Sequence, residues 1–351
     1  MNHSVAAAPS RLPLAALLCA AALLAPGCAS SDELTDEERY DIYMTNGTRY
    51  YEAKRYPEAE QQVRKALALQ PDSKEANLAL GWAMLYQGTA SKLAATEEHF
   101  TRCFADDPSD FRYGLGLGFS QFAQGKMAID RAETLRATEP TKELPAEELA
   151  AAAAEATKTG LAKLDLARAT LEDALSIEPD YPPALACLGQ LHMLAGRYDD
   201  AITRFERYLP IAERSRKNYV ELSQKGRDET ERRLAAEKVE TNLAKELEVR
   251  KAVANIRYKQ RRYAEAEKQL DIVLELEPRD EEALFNRGQC RYQLAEYENA
   301  RTDLKKFLEL TLRPFDEMVK RSYDLVADID RRQAMAAKDR IPDVPEIETP
   351  K

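Results

Sequence analysis

The sequence predicts an all-α protein that repeats one pair of helices, and three observations carry that expectation. Composition is the first. Of 351 residues only 13 are glycine and 32% are charged, and Ala, Leu, Glu, Lys and Arg dominate, which is the make-up of helices with solvated faces. The second is a recurring stripe of apolar residues at helical spacing, and the third is the constant distance between its copies. A formal net charge of -10 spread along the chain repels polyanions, so nucleic acid is not expected as a partner.

The stripe is plainest in "RYPEAEQQVRKALALQP" (55–71), "GRYDDAITRFERYL" (196–209), "RRYAEAEKQLDIVLELEP" (261–278) and "AEYENARTDLKKFLEL" (295–310). Each copy has a tyrosine (Tyr56, Tyr198, Tyr263, Tyr297) with an alanine three residues on (Ala59, Ala201, Ala266, Ala300). An apolar residue follows four later, at Val63, Phe205, Leu270 and Leu304. Steps of three and four put one face of a helix in the core. Pro71, Pro179 and Pro278 then stop the helix. Upstream of each copy a second helix carries Gly47, Gly81, Gly118, Gly189 or Gly288, and both Gly47 to Gly81 and Tyr263 to Tyr297 span 34 residues.

A 34-residue helix pair with Gly at its eighth place, Ala at its twentieth and Pro at its thirty-second resembles the tetratricopeptide repeat (TPR). The resemblance implies a right-handed superhelix of antiparallel helix pairs, a TPR solenoid, that binds proteins or peptides. It also disposes of a rival reading of "RYGLGLGFSQFAQGK" (112–126) as a phosphate-binding loop. Gly118 and Gly125 fall at the eighth and fifteenth places, as helix packing and a turn, and Ser120 and Met127 stand where a P-loop needs Gly and Ser or Thr.

In chain order, residues 1–27 read as a signal peptide. Arg11 precedes an uncharged apolar run, long enough for an export signal and short for a spanning helix. Its end, Leu24-Ala25-Pro26-Gly27-Cys28, resembles the lipobox of bacterial lipoproteins, in which the cysteine is lipidated; the alternative is an ordinary secretory signal with Cys28 incidental. Ala29, where inner-membrane retention would place Asp, implies the periplasmic face of the outer membrane in the cell envelope. An acidic tether covers 28–38, with Thr35 and Glu38 as a capping box.

The solenoid is expected over 39–338, with clear units at 40–73, 74–110, 182–215, 247–280 and 281–314. Degenerate units at 111–145 and 146–181 are preferred to one unit whose two helices both run long. Pro210 is expected to break the helix after Leu209. A charged hairpin insertion then occupies about 211–246, closed by Val220 and Leu222 against Leu234, Val239 and Leu243, as a solvated spacer or a docking arm. A capping helix is expected over 315–338 and a disordered tail over 339–351.

Binding in such arrays belongs to the first helix of each unit, where the fifth, ninth and twelfth places line the concave side. Those places and their neighbours supply Tyr51, Trp82, Tyr86, Phe119, Phe122, Met193, Tyr258, Phe285 and Tyr292, an aromatic groove that water would cover poorly. Lys251, Asn255, Asn286 and Lys320 resemble the carboxylate clamp with which some co-chaperone repeats hold a partner's C-terminus, although Asp316 stands where that clamp wants Lys. With three histidines and no paired cysteines, no metal, cofactor or catalytic site is expected and the protein is not read as an enzyme. The reading is therefore a membrane-anchored scaffold or adaptor for assembly, secretion or proteolysis in the envelope. It is similar to the tetratricopeptide lipoproteins that pilot secretin assembly, help barrel insertion or adapt proteases. The alternative is a structural lipoprotein that self-associates as a homo-oligomer.

Overall fold

The computed structural model describes residues 34–142, 144–312 and 316–338. Among the described residues the chain forms thirteen α-helices and no strand. The leader 1–27, Cys28, most of the tether and the tail 339–351 lie outside them. The chain divides into two units, Met1–Tyr208 and Leu209–Lys351.

Unit 1 holds α1 (Asp36–Glu52), α2 (Tyr56–Leu69), α3 (Lys74–Leu85), α4 (Ala90–Asp106), α5 (Phe111–Ala137), α6 (Ala146–Ile177), α7 (Pro182–Leu194) and the start of α8 (Tyr198–Lys225). Side-chain oxygens begin four of these helices: Thr35, Ser73, Thr89 and Asp110 each accept from a first-turn amide, and Thr35 with Glu38 completes the capping box. The first helices form one layer, α1 against α3, α3 against α5 and α5 against α7. The second helices are tied by ion pairs, Glu60 to Lys92 at 2.7 Å, Glu97 to Lys163 at 2.6 Å and Glu172 to Arg204 at 3.2 Å.

Glycines at the close approaches explain how tightly the layers fit. A Cβ on Gly81 would stand 2.2 Å from the Phe100 ring, and one on Gly116 would stand 2.3 Å from the same ring. Phe100, fully buried, is therefore clasped between the backbones of α3 and α5. The "GLGLG" run is helix throughout, and Gly116 serves this contact while Gly118 admits Leu171 of α6.

The region 111–181 is the first correction. In place of two degenerate units it contains two long helices, α5 with 27 residues and α6 with 32, packed against each other along their length. Gly125 is not a turn. It faces Gly160 across the pair, where each Cβ would lie 3.0 Å from the other's carbonyl oxygen, so both glycines mark close helix approach. Thr138 caps the end of α5 and Pro145 the start of α6. Ala132, Leu149 and Ala153 close the outer half of the pair.

Pro210 is the second correction: α8 runs through it unbroken. Its ring lies on an exposed part of the helix, as does Glu206 one turn earlier, where water can reach the carbonyl that a proline leaves without its usual amide donor.

Unit 2 holds the rest of α8, α9 (Glu229–Lys259), α10 (Tyr263–Leu276), α11 (Glu281–Gln293), α12 (Tyr297–Leu310) and α13 (Glu317–Lys338). The hairpin of α8 and α9 turns at Gly226, and Ala235 is buried where Leu234, expected in the seam, is 48% exposed. At its base, fully buried Glu246 accepts from Arg216 Nε at 2.8 Å and from Arg250 Nη2 at 2.7 Å, and Glu213 adds a second carboxylate 3.3 Å from Arg250. Leu270, Val273, Leu304 and Phe307 carry the core of α10 to α12, and Val319, Leu325 and Ile329 of α13 face inward over its end.

Candidate protein-binding surface

The expected aromatic groove is largely filled by its own neighbours. Trp82, Phe119, Phe122 and Phe285 are 2%, 1%, 2% and 7% exposed and belong to the core. The reason is the close fit of successive first helices: Trp82 packs against Phe119 of α5 at 5.8 Å and against Phe100 at 5.9 Å between ring centres. Phe285 sits 5.4 Å from Phe307. These four rings stabilise the stack and cannot be contact residues for a partner.

The remaining groove residues are half-exposed, and in unit 1 some of them converge. Tyr51 closes α1, Tyr56 opens α2 and Tyr86 caps α3, with ring centres 5.2 to 5.7 Å apart in two edge-on contacts and one stack. The Tyr51 and Tyr86 hydroxyls share a hydrogen bond. Burial, reinforced by the neighbouring phenols, pushes both hydroxyls well above the usual tyrosine range. Tyr181, before α7, adds to both shifts and is itself pushed up by burial, and its ring lies edge-on to Phe111 at 5.7 Å. The group therefore stays neutral at physiological pH and offers half-buried aromatic surface suited to apolar side chains. Tyr56 announces itself in the sequence only as a repeat tyrosine and Tyr181 gives no signal, because their meeting depends on how α1, α3 and α7 are stacked. Met193, at the end of α7, is half-buried and outside this group of rings.

In unit 2, Tyr258 donates to Gln289 at 3.3 Å and packs on Tyr263 at 5.2 Å, and Tyr292 donates to Asp328 of α13 at 2.6 Å. Arg332 lies over the rings of Tyr292 and Tyr297. The carboxylate clamp is not assembled. Lys251 is engaged by Asp280 at 3.1 Å and Glu282 at 3.0 Å, Asn286 donates to Asn255 at 3.3 Å, and Lys320 is exposed. A guest carboxylate would have to displace two carboxylates of the chain itself from Lys251.

Comparisons with known proteins agree with this architecture. Residues 44–97 and 252–317 match one tetratricopeptide-repeat family model, and 159–225 match another. No curated protein matches the sequence. Among solved structures, pilF of Pseudomonas aeruginosa aligns with a TM-score of 0.51 at 15% identity, covering 86% of this chain and 99% of its own. A thermophilic TPR protein of Thermus thermophilus aligns at 0.41 and 20% identity, covering 73% and 99%. The likeness to pilF is one of fold. The gap between the matched segments at 98–158 contains all of α5 and the start of α6, where the ordinary repeat length is abandoned. With the matched segments covering more than half of its length, the chain belongs to the tetratricopeptide repeat family.

Proposed function

We propose that the protein is a non-enzymatic, membrane-anchored scaffold of the bacterial envelope, lipidated at Cys28, that holds a protein partner on the half-exposed tyrosines of unit 1. Tetratricopeptide repeats imply a protein-interaction scaffold, and the observation that carries the finer reading is the convergence of Tyr51, Tyr56 and Tyr86 on one patch. Anchoring rests on Leu24 to Cys28 and the apolar run before it; acyl chains contribute roughly 0.8 kcal/mol per buried methylene, so two or more make attachment durable.

The test combines fractionation and capture with the full chain in its native cells. Wild-type protein should sediment with membranes and a Cys28→Ser form should not, while a Tyr51→Ala/Tyr86→Ala form should stay anchored and lose the partner that wild type retains. Equal capture by both forms removes the tyrosine surface from the account, and a Cys28→Ser form that stays with membranes removes the lipid. A retained partner that proves to be a second copy of the chain converts the scaffold into a self-associating one.

A further inference from the structure

Away from the tyrosine surface, between the second helices of unit 1, a cavity of about 290 Å³ is lined by Arg168 and Glu172 of α6, His192 of α7, Arg197 of the following turn, and Asp200, Thr203 and Arg204 of α8. Its wall holds donors with nothing to donate to. Arg168 Nε, His192 Nδ1, Arg197 Nε and Arg197 Nη2 are buried without a hydrogen-bond partner, four of the five such side-chain atoms among the described residues. His192 is only 4% exposed. Polar atoms so deeply placed are normally satisfied.

The charges nearby do not satisfy them. Glu172 is shared between Arg168 at 3.3 Å and Arg204 at 3.2 Å, and Asp165 lies 3.3 Å from Arg197 Nη1 and 3.8 Å from Arg168 Nε. The Asp200 carboxylate stands 3.8 Å from His192 Nδ1, beyond hydrogen-bond reach. Closed guanidinium–carboxylate pairs are shorter, as Arg291 with Glu267 at 2.7 Å shows within this chain. Three guanidinium groups and three carboxylates, Asp165, Glu172 and Asp200, thus meet with slack geometry, and the unused Nε and Nη2 of Arg197 make a fork that matches a planar or tetrahedral oxyanion, with Arg168 Nε open in the same wall.

We propose that this cavity is a binding site for a small oxyanion, a carboxylate or phosphate group carried on a compact molecule. Arg197 supplies a fork through Nε and Nη2, Arg168 adds its Nε, and His192 donates from Nδ1 in the tautomer with the proton there. The volume exceeds what a bare anion fills, so it admits a short carbon body as well. The site is independent of the protein-binding surface, since its residues lie on α6, α7, α8 and the turn between the last two, and none belongs to the tyrosine group.

Calorimetry of the full chain with inorganic phosphate and, separately, with succinate tests this at constant ionic strength, with chloride as the control. Saturable binding of one or both probes is expected, the preferred one showing whether the site favours phosphate or carboxylate. Arg197→Gln should weaken it roughly tenfold or more, and an Arg214→Gln control on the exposed face of α8 should leave it unchanged. His192 imidazole resonances should move with the same saturation curve, and His192→Gln provides a second variant should Arg197→Gln fail to fold. No saturable binding up to about 10 mM of either probe, or binding that survives the cavity variants at wild-type strength, overturns the site.

Discussion

Phe100 offers the sharpest test of why the repeat glycines are where they are. A Gly81→Ala change places a Cβ 2.2 Å from Cζ and 2.6 Å from both Cε atoms of Phe100, against the 3.5 to 4.0 Å of ordinary carbon contact. The ring would have to retreat by more than about 1 Å, yet Gly116 of α5 lies just as close to the same ring atoms. Overpacking of this kind costs about 1–3 kcal/mol, and the clasp places Gly81 near the upper end, whereas replacing helical Gly by Ala returns about 1 kcal/mol. The net expectation is a loss of about 2 kcal/mol. Phe100→Leu removes the very ring atoms in conflict, so in that background Gly81→Ala should instead stabilise by about 1 kcal/mol, a coupling of about 3 kcal/mol. Urea unfolding followed by the fluorescence of Trp82, the single tryptophan and 5.9 Å from the Phe100 ring, reads this layer directly. Equal destabilisation by Gly81→Ala in both backgrounds would refute the clasp.

Other expectations follow from the same packing. Glu246→Ala should destabilise unit 2 by about 3–5 kcal/mol, since Arg216 and Arg250 then lose their buried counter-charge; hydrogen exchange of α9 and α10 would show it, and unchanged protection would contradict it. Lys54, Arg261 and Ala295 hold positive φ at the turn places that Gly88 and Gly196 fill elsewhere, so Ala295→Gly should stabilise by about 1 kcal/mol and Gly196→Ala should destabilise by a similar amount, as urea midpoints will record. Burial holds His99 and His192 below the ordinary histidine value. As pH falls through about 6.5 the unfolded chain takes up protons that the folded one resists, so stability should drop progressively below about pH 7, and by less in a His99→Gln variant. Burial also pushes the Cys290 thiol up to about 12 and raises Cys187. Thiol labelling at about pH 8, mapped by peptide mass, should therefore reach these two only on unfolding; rapid native labelling would show an opening the packing does not contain.

The helix pairs are legible in the sequence because the period is carried by residues whose job is local: Ala59, Ala201, Ala266 and Ala300 on one face, glycines opposite them, prolines at the ends. The long pair α5 and α6 reads as two units because Gly125 and Gly160 look in sequence like turns, and only their mutual contact shows that they admit one helix to another. Pro210 misleads for a related reason, since a proline's effect depends on which face of the helix it occupies. The groove fails most instructively. Periodicity identifies Trp82, Phe119 and Phe122 as sharing a face, but whether a neighbouring helix covers that face depends on the separation of successive first helices, a quantity that no single helix encodes. The oxyanion cavity is invisible in the sequence because Arg168, His192 and Arg197 come from three elements and belong to no motif.

The most direct test of the scaffold reading is site-specific photo-crosslinking in native membranes, with a photoreactive residue placed at Tyr86 and, as a control, at exposed Leu166 of α6. The account predicts one discrete protein adduct from position 86 that position 166 does not yield. No adduct from 86, or the same adduct from both, would contradict it.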